Sequence, residues 1–274
     1  MIEVIKTKNC GFCFGVRRAV KAVLKERGRT TGPIYTLGPL LHNPQVVQEL
    51  VSQDIVPVSD VRSVKSGTIA YRSHGILREE EEYIGRQRLS AIDLVCPFVK
   101  RVRKCAMLLR KEGYRVVIVG DPEHPEVKSV LSYLDNDGIV LQNPSSIESS
   151  KVGVVSQTTQ DQATYVDIVQ GLVGKAEELR AFNTICDSTR SRKEEAVALA
   201  ARVDVMLVVG GRNSANTTKL FHLVEKAQPN SHHIETDEEL KPEWFAGVTK
   251  VGVTGGTSTP DSIIEKVEKR VKNF

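Results

Sequence analysis

The sequence predicts an α/β protein built on parallel sheets, and three observations carry that reading. Short β-branched runs alternate with segments of helical periodicity. Each run stops at a polar, glycine-rich turn. Three cysteines recur at a near-regular interval, each between an apolar stretch and a helical pattern.

The runs are "TIAYRSHG" (68–75), "RVVIVGDPEHPEV" (115–127), "VGVVSQTTQ" (152–160), "DVMLVVGGRNSANT" (204–217) and "KVGVTGGTSTP" (250–260). Strands that are apolar throughout are buried on both faces, which is the signature of parallel sheets covered by helices. Ligands of such sheets bind beyond the carboxyl ends of the strands. Those ends carry His74, Glu123, His124, Glu126, Gln157, Thr158, Ser214, Asn216 and Ser258. That is more hydroxyl and imidazole than turn chemistry requires.

The cysteine rhythm divides the chain. Cys13 to Cys96 is 83 residues, Cys96 to Cys186 is 90, and 88 residues follow Cys186. The helical pattern after Cys13 is "GVRRAVKAVLKE". After Cys96 comes Pro97, favoured at a first helical position, then "FVKRVRKCAMLLRKEG". After Cys186 comes "DSTRSRKEEAVALAA", where Asp187 or Ser188 can cap. Three small α/β units are expected, 1–96, 97–186 and 187–274, with the N-terminal strand a candidate to pair with the third. Each presents one cysteine at a strand-to-helix corner. The inference rests on spacing; no internal sequence identity is evident.

Composition narrows the class. The 274 residues are 40% hydrophobic and 26% charged, ordinary for a globular protein. A net charge of +4 with no dense Lys/Arg block, and 5% aromatic residues, argue against a nucleic-acid partner. No apolar run approaches the roughly 20 residues that cross a bilayer. "MIEVIKTKN" has no long apolar stretch, so a cytoplasmic location is expected. Five cysteines, an odd number thinly spread, argue against a disulfide framework.

A thiol at a helix N-terminus is biased toward thiolate. Cys13, Cys96 and Cys186 are therefore candidate ligands for a soft metal or an iron–sulfur cluster; burial as small core residues is the competing reading. Cys105 shares a helical face with Phe98, Val102 and Leu109 and reads as core. Cys10 completes a C-x-x-C with Cys13. With Cys10 a site would be a closed set of four thiolates; without it one metal position stays open.

"GFCFGVRRAV", "LHNPQVV", "RSHG", "DLVCPFVKRV", "EHPEV", "SQTTQ", "NTICDSTRSRKEEA", "VVGGRNSANTTKL" and "GVTGGTSTPD" together resemble the 4-hydroxy-3-methylbut-2-enyl diphosphate reductase family, in order from about residue 2 to 270. The resemblance implies three similar lobes arranged as a trefoil around a central cavity. It implies one [4Fe–4S] cluster per chain, held by Cys13, Cys96 and Cys186 with one iron open, and it leaves Cys10 outside the ligand set. The reaction it implies is reductive removal of an allylic hydroxyl from a small allylic diphosphate, giving isopentenyl and dimethylallyl diphosphate. Reduced ferredoxin or flavodoxin is the implied electron donor.

The same resemblance assigns roles. Glu126 matches the proton-delivering acid, Thr158 matches the residue that hydrogen-bonds the substrate hydroxyl and relays protons, and His124 is expected with them in the catalytic set. His42, His74, His124, Ser214, Asn216 and Ser258 match diphosphate contacts. Where relatives often carry two serines before the asparagine, this chain has Ser214, Ala215 and Asn216. A lost neutral hydrogen bond is worth about 1 kcal/mol, and the Ala215 amide can still contribute. His222, His232 and His233 have no such context. Arg17, Arg18, Lys100, Arg101, Arg190 and Arg192 follow the cysteines; they read either as solvated helix faces or as a surface toward an acidic electron donor. Two other classes compete: an iron–sulfur hydro-lyase that consumes no electrons, and a zinc-stabilised binding protein using Cys10, Cys13, Cys96 and Cys186.

Overall fold

The structure, a computed structural model, describes residues 2–274 apart from residues 146 and 148. In chain order its strands are β1 (Glu3–Lys6), β2 (Ile34–Leu37), β3 (Ile55–Val58), β4 (Thr68–Tyr71), β5 (Ser90–Asp93), β6 (Arg115–Val119), β7 (Ile139–Leu141), β8 (Lys151–Ser156), β9 (Glu178–Ala181), β10 (Val205–Val209), β11 (Ser231–Ile234) and β12 (Lys250–Gly255). The helices are α1 (Phe14–Arg27), α2 (Pro44–Val51), α3 (Arg78–Gln87), α4 (Pro97–Lys111), α5 (Pro125–Ser132), α6 (Gln162–Leu172), α7 (Asp187–Ala200), α8 (Ala215–Ala227) and α9 (Asp261–Val271).

The strands form three four-stranded parallel sheets, ordered β3-β2-β4-β5, β7-β6-β8-β9 and β11-β10-β12-β1. All three share one plan. The first strand of each set pairs on one side with the second and on the other with the third, and the fourth lies outside the third. In the last sheet the fourth strand is β1, paired with β12 from Glu3↔Lys250 to Lys6↔Val253.

The physical cause is burial on both faces. Val116, Ile118 and Val155 pack against Val102, Ala106 and Leu109. Val117, Val119, Val152 and Val154 of the same strands pack against Ile168 and Leu172 on the opposite face. Each such side chain removed from water contributes about 1.5–3 kcal/mol.

The chain forms two compact units. One comprises residues 1–17, 41–52 and 187–274 and holds the β11-β10-β12-β1 sheet; the other comprises residues 18–40 and 53–186 and holds the other two sheets. No described helix is long and apolar enough to cross a membrane.

α1, α4 and α7 begin directly after Cys13, Cys96 and Cys186. Their buried positions keep one register, the third, sixth and tenth residues past each cysteine: Val16, Ala19 and Val23; Val99, Val102 and Ala106; Thr189, Arg192 and Ala196. The core face of α4 is thus Val99, Val102, Ala106 and Leu109, which keeps Val102 and Leu109 of the expected stripe and has Val99 and Ala106 in place of Phe98 and Cys105. Phe98 and Cys105 lie at its border, where Cys105 still packs against the core.

Candidate functional site

The loops beyond the central strands repeat in geometry although not in sequence. After β2, β6 and β10 they read "GPLLHNP", "GDPEHPE" and "GGRNSAN". His42, His124 and Ser214 each lie five residues past the strand end (37 to 42, 119 to 124, 209 to 214). After β4, β8 and β12, the second residue past the strand is Ser73, Thr158 or Thr257. The carbonyl of each accepts a hydrogen bond from one cysteine N–H: Cys96 to Ser73 at 3.0 Å, Cys186 to Thr158 at 2.9 Å, Cys13 to Thr257 at 3.0 Å. Each of these three cysteines is therefore fixed by the same backbone bond before its helix starts.

In the unit of residues 18–40 and 53–186, six expected site residues form one chain of contacts. Cys96 caps α4 ahead of Pro97. Next to its partner Ser73 is His74, whose ring meets that of His124 edge-on at 5.5 Å. Gly75 allows the approach: its φ is +108°, and a Cβ there would lie 2.4 Å from Ser129 Oγ on α5. His124 caps α5, its Nδ1 accepting from the Glu126 N–H at 3.2 Å, which places the neutral ring's proton on Nε2.

Glu126 is 1% exposed. Its Oε1 accepts from the Thr158 N–H at 2.7 Å, and its Oε2 from Thr158 Oγ1 at 2.6 Å. Burial pushes the Glu126 pKa up to about 7, against the two Thr158 hydrogen bonds that lower it. The carboxyl therefore titrates near neutrality, and the peptide of its partner Thr158 holds Cys186.

The other unit holds the remaining expected residues. The N-terminal turn of α1 brings the Val16 N–H to 3.5 Å from Cys13 Sγ. Thr257, which holds the Cys13 N–H, accepts at Oγ1 from Asn216 Nδ2 at 3.3 Å. Ser214, 3% exposed, caps α8. Ala215 opens that helix, in the turn whose N–H groups lack intrahelical partners. Ser258 Oγ donates to the His42 carbonyl at 3.1 Å.

The loop before Cys13 is clamped. Asn9 gives its N–H and Nδ2 to the Glu195 carboxylate at 2.9 and 2.6 Å. Arg17 binds Asp261 at 2.6 Å and the Phe12 carbonyl at 3.3 Å. Gly11 has φ +88°, and a Cβ there would lie 2.0 Å from Asp261 Oδ1, so only glycine fits. Cys10 packs against the core of the β11-β10-β12-β1 sheet. Burial pushes its thiol up to about 11, against the nearby Arg192 charge, so it is a neutral thiol at physiological pH.

Other side chains fall into place. Glu123 is exposed and pairs with Lys128 at 2.7 Å. His222 is exposed, His232 stacks on Trp244, and His233 Nε2 contacts the Gly210 carbonyl. Of the cations after the cysteines, Lys100 pairs with Asp93, Arg190 with Asp187, Arg18 donates to the Val95 carbonyl, and Arg101 is exposed. Arg192 corrects the expectation of a solvent-facing cation: it is 2% exposed. Residue type and helical position alone gave no sign of this; only the buried register shared with α1 and α4 reveals it.

Three parallel sheets with a cysteine ahead of one helix in each define an α/β protein of the LytB family, to which this chain belongs: the profile described as LytB protein matches residues 4–272. The resemblance read from the sequence is met by its relatives. The 4-hydroxy-3-methylbut-2-enyl diphosphate reductase of Aquifex aeolicus is 42% identical, over 100% of this chain and 97% of that protein. The reductase of the same name from Geobacter sulfurreducens is 43% identical, over 100% and 98%. Among solved structures, (E)-4-hydroxy-3-methyl-but-2-enyl diphosphate reductase, the terminal enzyme of the non-mevalonate pathway, is 42% identical with a TM-score of 0.79 over 100% of both chains. The E-1-hydroxy-2-methyl-but-2-enyl-4-diphosphate reductase from Plasmodium falciparum is 25% identical with a TM-score of 0.89, covering 99% of this chain and 87% of that one.

Proposed function

We propose that this chain reduces 4-hydroxy-3-methylbut-2-enyl diphosphate to isopentenyl and dimethylallyl diphosphate, with a [4Fe–4S] cluster held by Cys13, Cys96 and Cys186. The observation that carries the reading is the buried Glu126–Thr158 pair, tied through the Thr158 peptide to Cys186. The reaction takes two electrons and two protons. The C–O bond breaks, the oxygen leaves as water with one proton, and the carbon skeleton takes the other.

The donor set fits such a cluster. Each of the three cysteines stands directly before a helix N-terminus, and a thiolate is a usual ligand of iron–sulfur clusters. Cys10 packs against the core of its own sheet and we leave it outside the set, as the resemblance implies. When bound, the cluster supplies an open iron as Lewis acid for the substrate hydroxyl and conducts the electrons.

The chain's own residues do the rest. Glu126 holds a proton near neutrality and releases it to the departing oxygen, and Thr158 Oγ1 orients both the carboxyl and the substrate hydroxyl. His124, its proton on Nε2, donates to the substrate. His42, His74, Ser214, Asn216, Ser258 and the Ala215 amide bind the diphosphate with it, aided by the positive ends of α2, α5 and α8. Reduced ferredoxin or flavodoxin delivers the electrons, and the reaction runs in the cytoplasm. We assign one lobe to each sheet, with boundaries at 1–96, 97–186 and 187–274, except that the N-terminal β1 joins the sheet of the third.

Anaerobic reconstitution followed by turnover of the diphosphate tests this. The reading expects iron and acid-labile sulfide in the protein and turnover that stops without reductant. Turnover independent of reductant would instead mark a hydro-lyase, and bound zinc without sulfide would mark a binding protein.

A further inference from the structure

Arg192 has no role in the function described so far, and its surroundings are unusual. It occupies the sixth position past Cys186, where the equivalent positions after Cys13 and Cys96 are Ala19 and Val102, 1% and 0% exposed. The fold fills this place with small apolar side chains twice; once it holds a guanidinium that is 2% exposed. Arginine keeps its charge in such places. A buried charge without a counter-charge is strongly destabilising.

Its contacts are directional. Nη1 donates to the Gly255 carbonyl at 2.6 Å and Nη2 to the Gly11 carbonyl at 2.8 Å. Gly11 lies in the turn between Cys10 and Cys13. Nε is buried with no hydrogen-bond partner. Among the described residues no carboxylate forms an ion pair with it: Glu195 is engaged by Asn9, and Asp261 by Arg17. Burial weighs most on its charge, and the leading charges acting in its favour are Cys10 and Cys13. Cys10 is held protonated by burial. As a ligand of the cluster proposed above, Cys13 would be the anion that Cys10 is not.

We propose that Arg192 is the fixed counter-charge of the iron–sulfur cluster that Cys13 helps to hold, positioning the Cys13 turn and raising the cluster's reduction potential. This rests on the cluster reading above. Reduction adds negative charge to a cluster whose thiolates are already anionic. A buried cation next to one ligand's turn stabilises the reduced form more than the oxidised form. Ala19 and Val102, at the equivalent positions, carry no charge and cannot do so.

The test compares reconstituted wild-type protein, Arg192→Gln and Arg192→Lys by iron and sulfide content and by redox titration followed by electron paramagnetic resonance. Gln removes the charge; Lys keeps it but cannot bridge both carbonyls. The proposal expects Arg192→Gln to load a cluster whose reduction equilibrium moves at least tenfold toward the oxidised form, about 59 mV for one electron. Arg192→Lys is expected to stay within threefold of wild type. A loaded Arg192→Gln with unchanged potential overturns the proposal and leaves the cluster reading intact. If Arg192→Gln does not fold, Arg192→Lys decides: a tenfold shift there shows that the two carbonyl contacts matter and the charge does not. Wild-type protein that takes up no iron and sulfide overturns the cluster reading itself.

Discussion

Glu126 with Thr158 in one unit, and Asn216 with Thr257 in the other, occupy the same places in the repeated plan. Glu126 and Asn216 each lie seven residues past a first strand (119 to 126, 209 to 216). Thr158 and Thr257 each lie two past a third strand and each hold a cysteine N–H. In both pairs the side chains touch, but the chemistry differs. Thr158 donates twice into a carboxylate whose pKa burial lifts to about 7, whereas Thr257 accepts from an amide that cannot titrate. One framework thus yields a proton store in one sheet and a neutral hydrogen-bonding station in another. The remaining repeat has Pro44 and Ser73 at these places and can serve as neither.

The largest break in this comparison is Glu126→Gln, which makes the acidic pair resemble the neutral one. Turnover is expected to fall at least a hundredfold, with iron and sulfide content unchanged, because positioned proton transfer contributes about 10²–10⁴-fold. The same variant reports on stability. The folded value of about 7 lies above the ordinary 4.5, so between those pH values the folded state keeps a proton that the unfolded chain has lost. Wild-type stability therefore falls as pH rises from about 4.5 to 7, by about 3 kcal/mol at about 1.4 kcal/mol per unit. Glu126→Gln should remove this slope in denaturant titrations at pH 5 and pH 8.

Thr158→Val is the next strongest. It keeps the shape and the backbone bond to Cys186 but removes a hydrogen bond that lowers the Glu126 pKa. The limb of the pH–rate profile due to Glu126 should move to higher pH, and turnover should fall about tenfold. An unmoved limb would show that Glu126 does not set it.

Asn216→Ala is expected to have the smallest effect and to sharpen the contrast. A neutral station that binds the diphosphate should raise KM about tenfold, as expected for a hydrogen bond to a charged group, with kcat within about threefold. A loss in kcat matching that of Glu126→Gln would mean that the two places are not chemically distinct.

The sequence shows the interior of each sheet and hides its margins. Five of the six central strands, β4, β6, β8, β10 and β12, read as apolar runs because both of their faces are covered. β2 is only the four residues "IYTL", and outer strands such as "SAID" and "ELRA" are largely exposed, so no continuous run marks them. The cysteine corners were legible because each cysteine stands between an apolar stretch and a helical pattern; Pro97 marks the start of α4, whereas Asp187 and Ser188, expected as caps, are the first residues of α7 itself. The loop repeat was not, since the equivalent places hold His42, His124 and Ser214, or Glu126 and Asn216, which share position but not residue type. Two further facts needed the fold: the Glu126–Thr158 bond spans 32 residues of chain, and Arg192 looks like any cation on a helix.

The account turns on which cysteines carry iron. The direct measurement is iron and acid-labile sulfide per chain after anaerobic reconstitution of wild-type protein, Cys10→Ser and Cys186→Ser. The account predicts a full [4Fe–4S] complement in wild type and Cys10→Ser, and its loss in Cys186→Ser. A Cys10→Ser protein that loses the cluster while Cys186→Ser retains it would contradict the account.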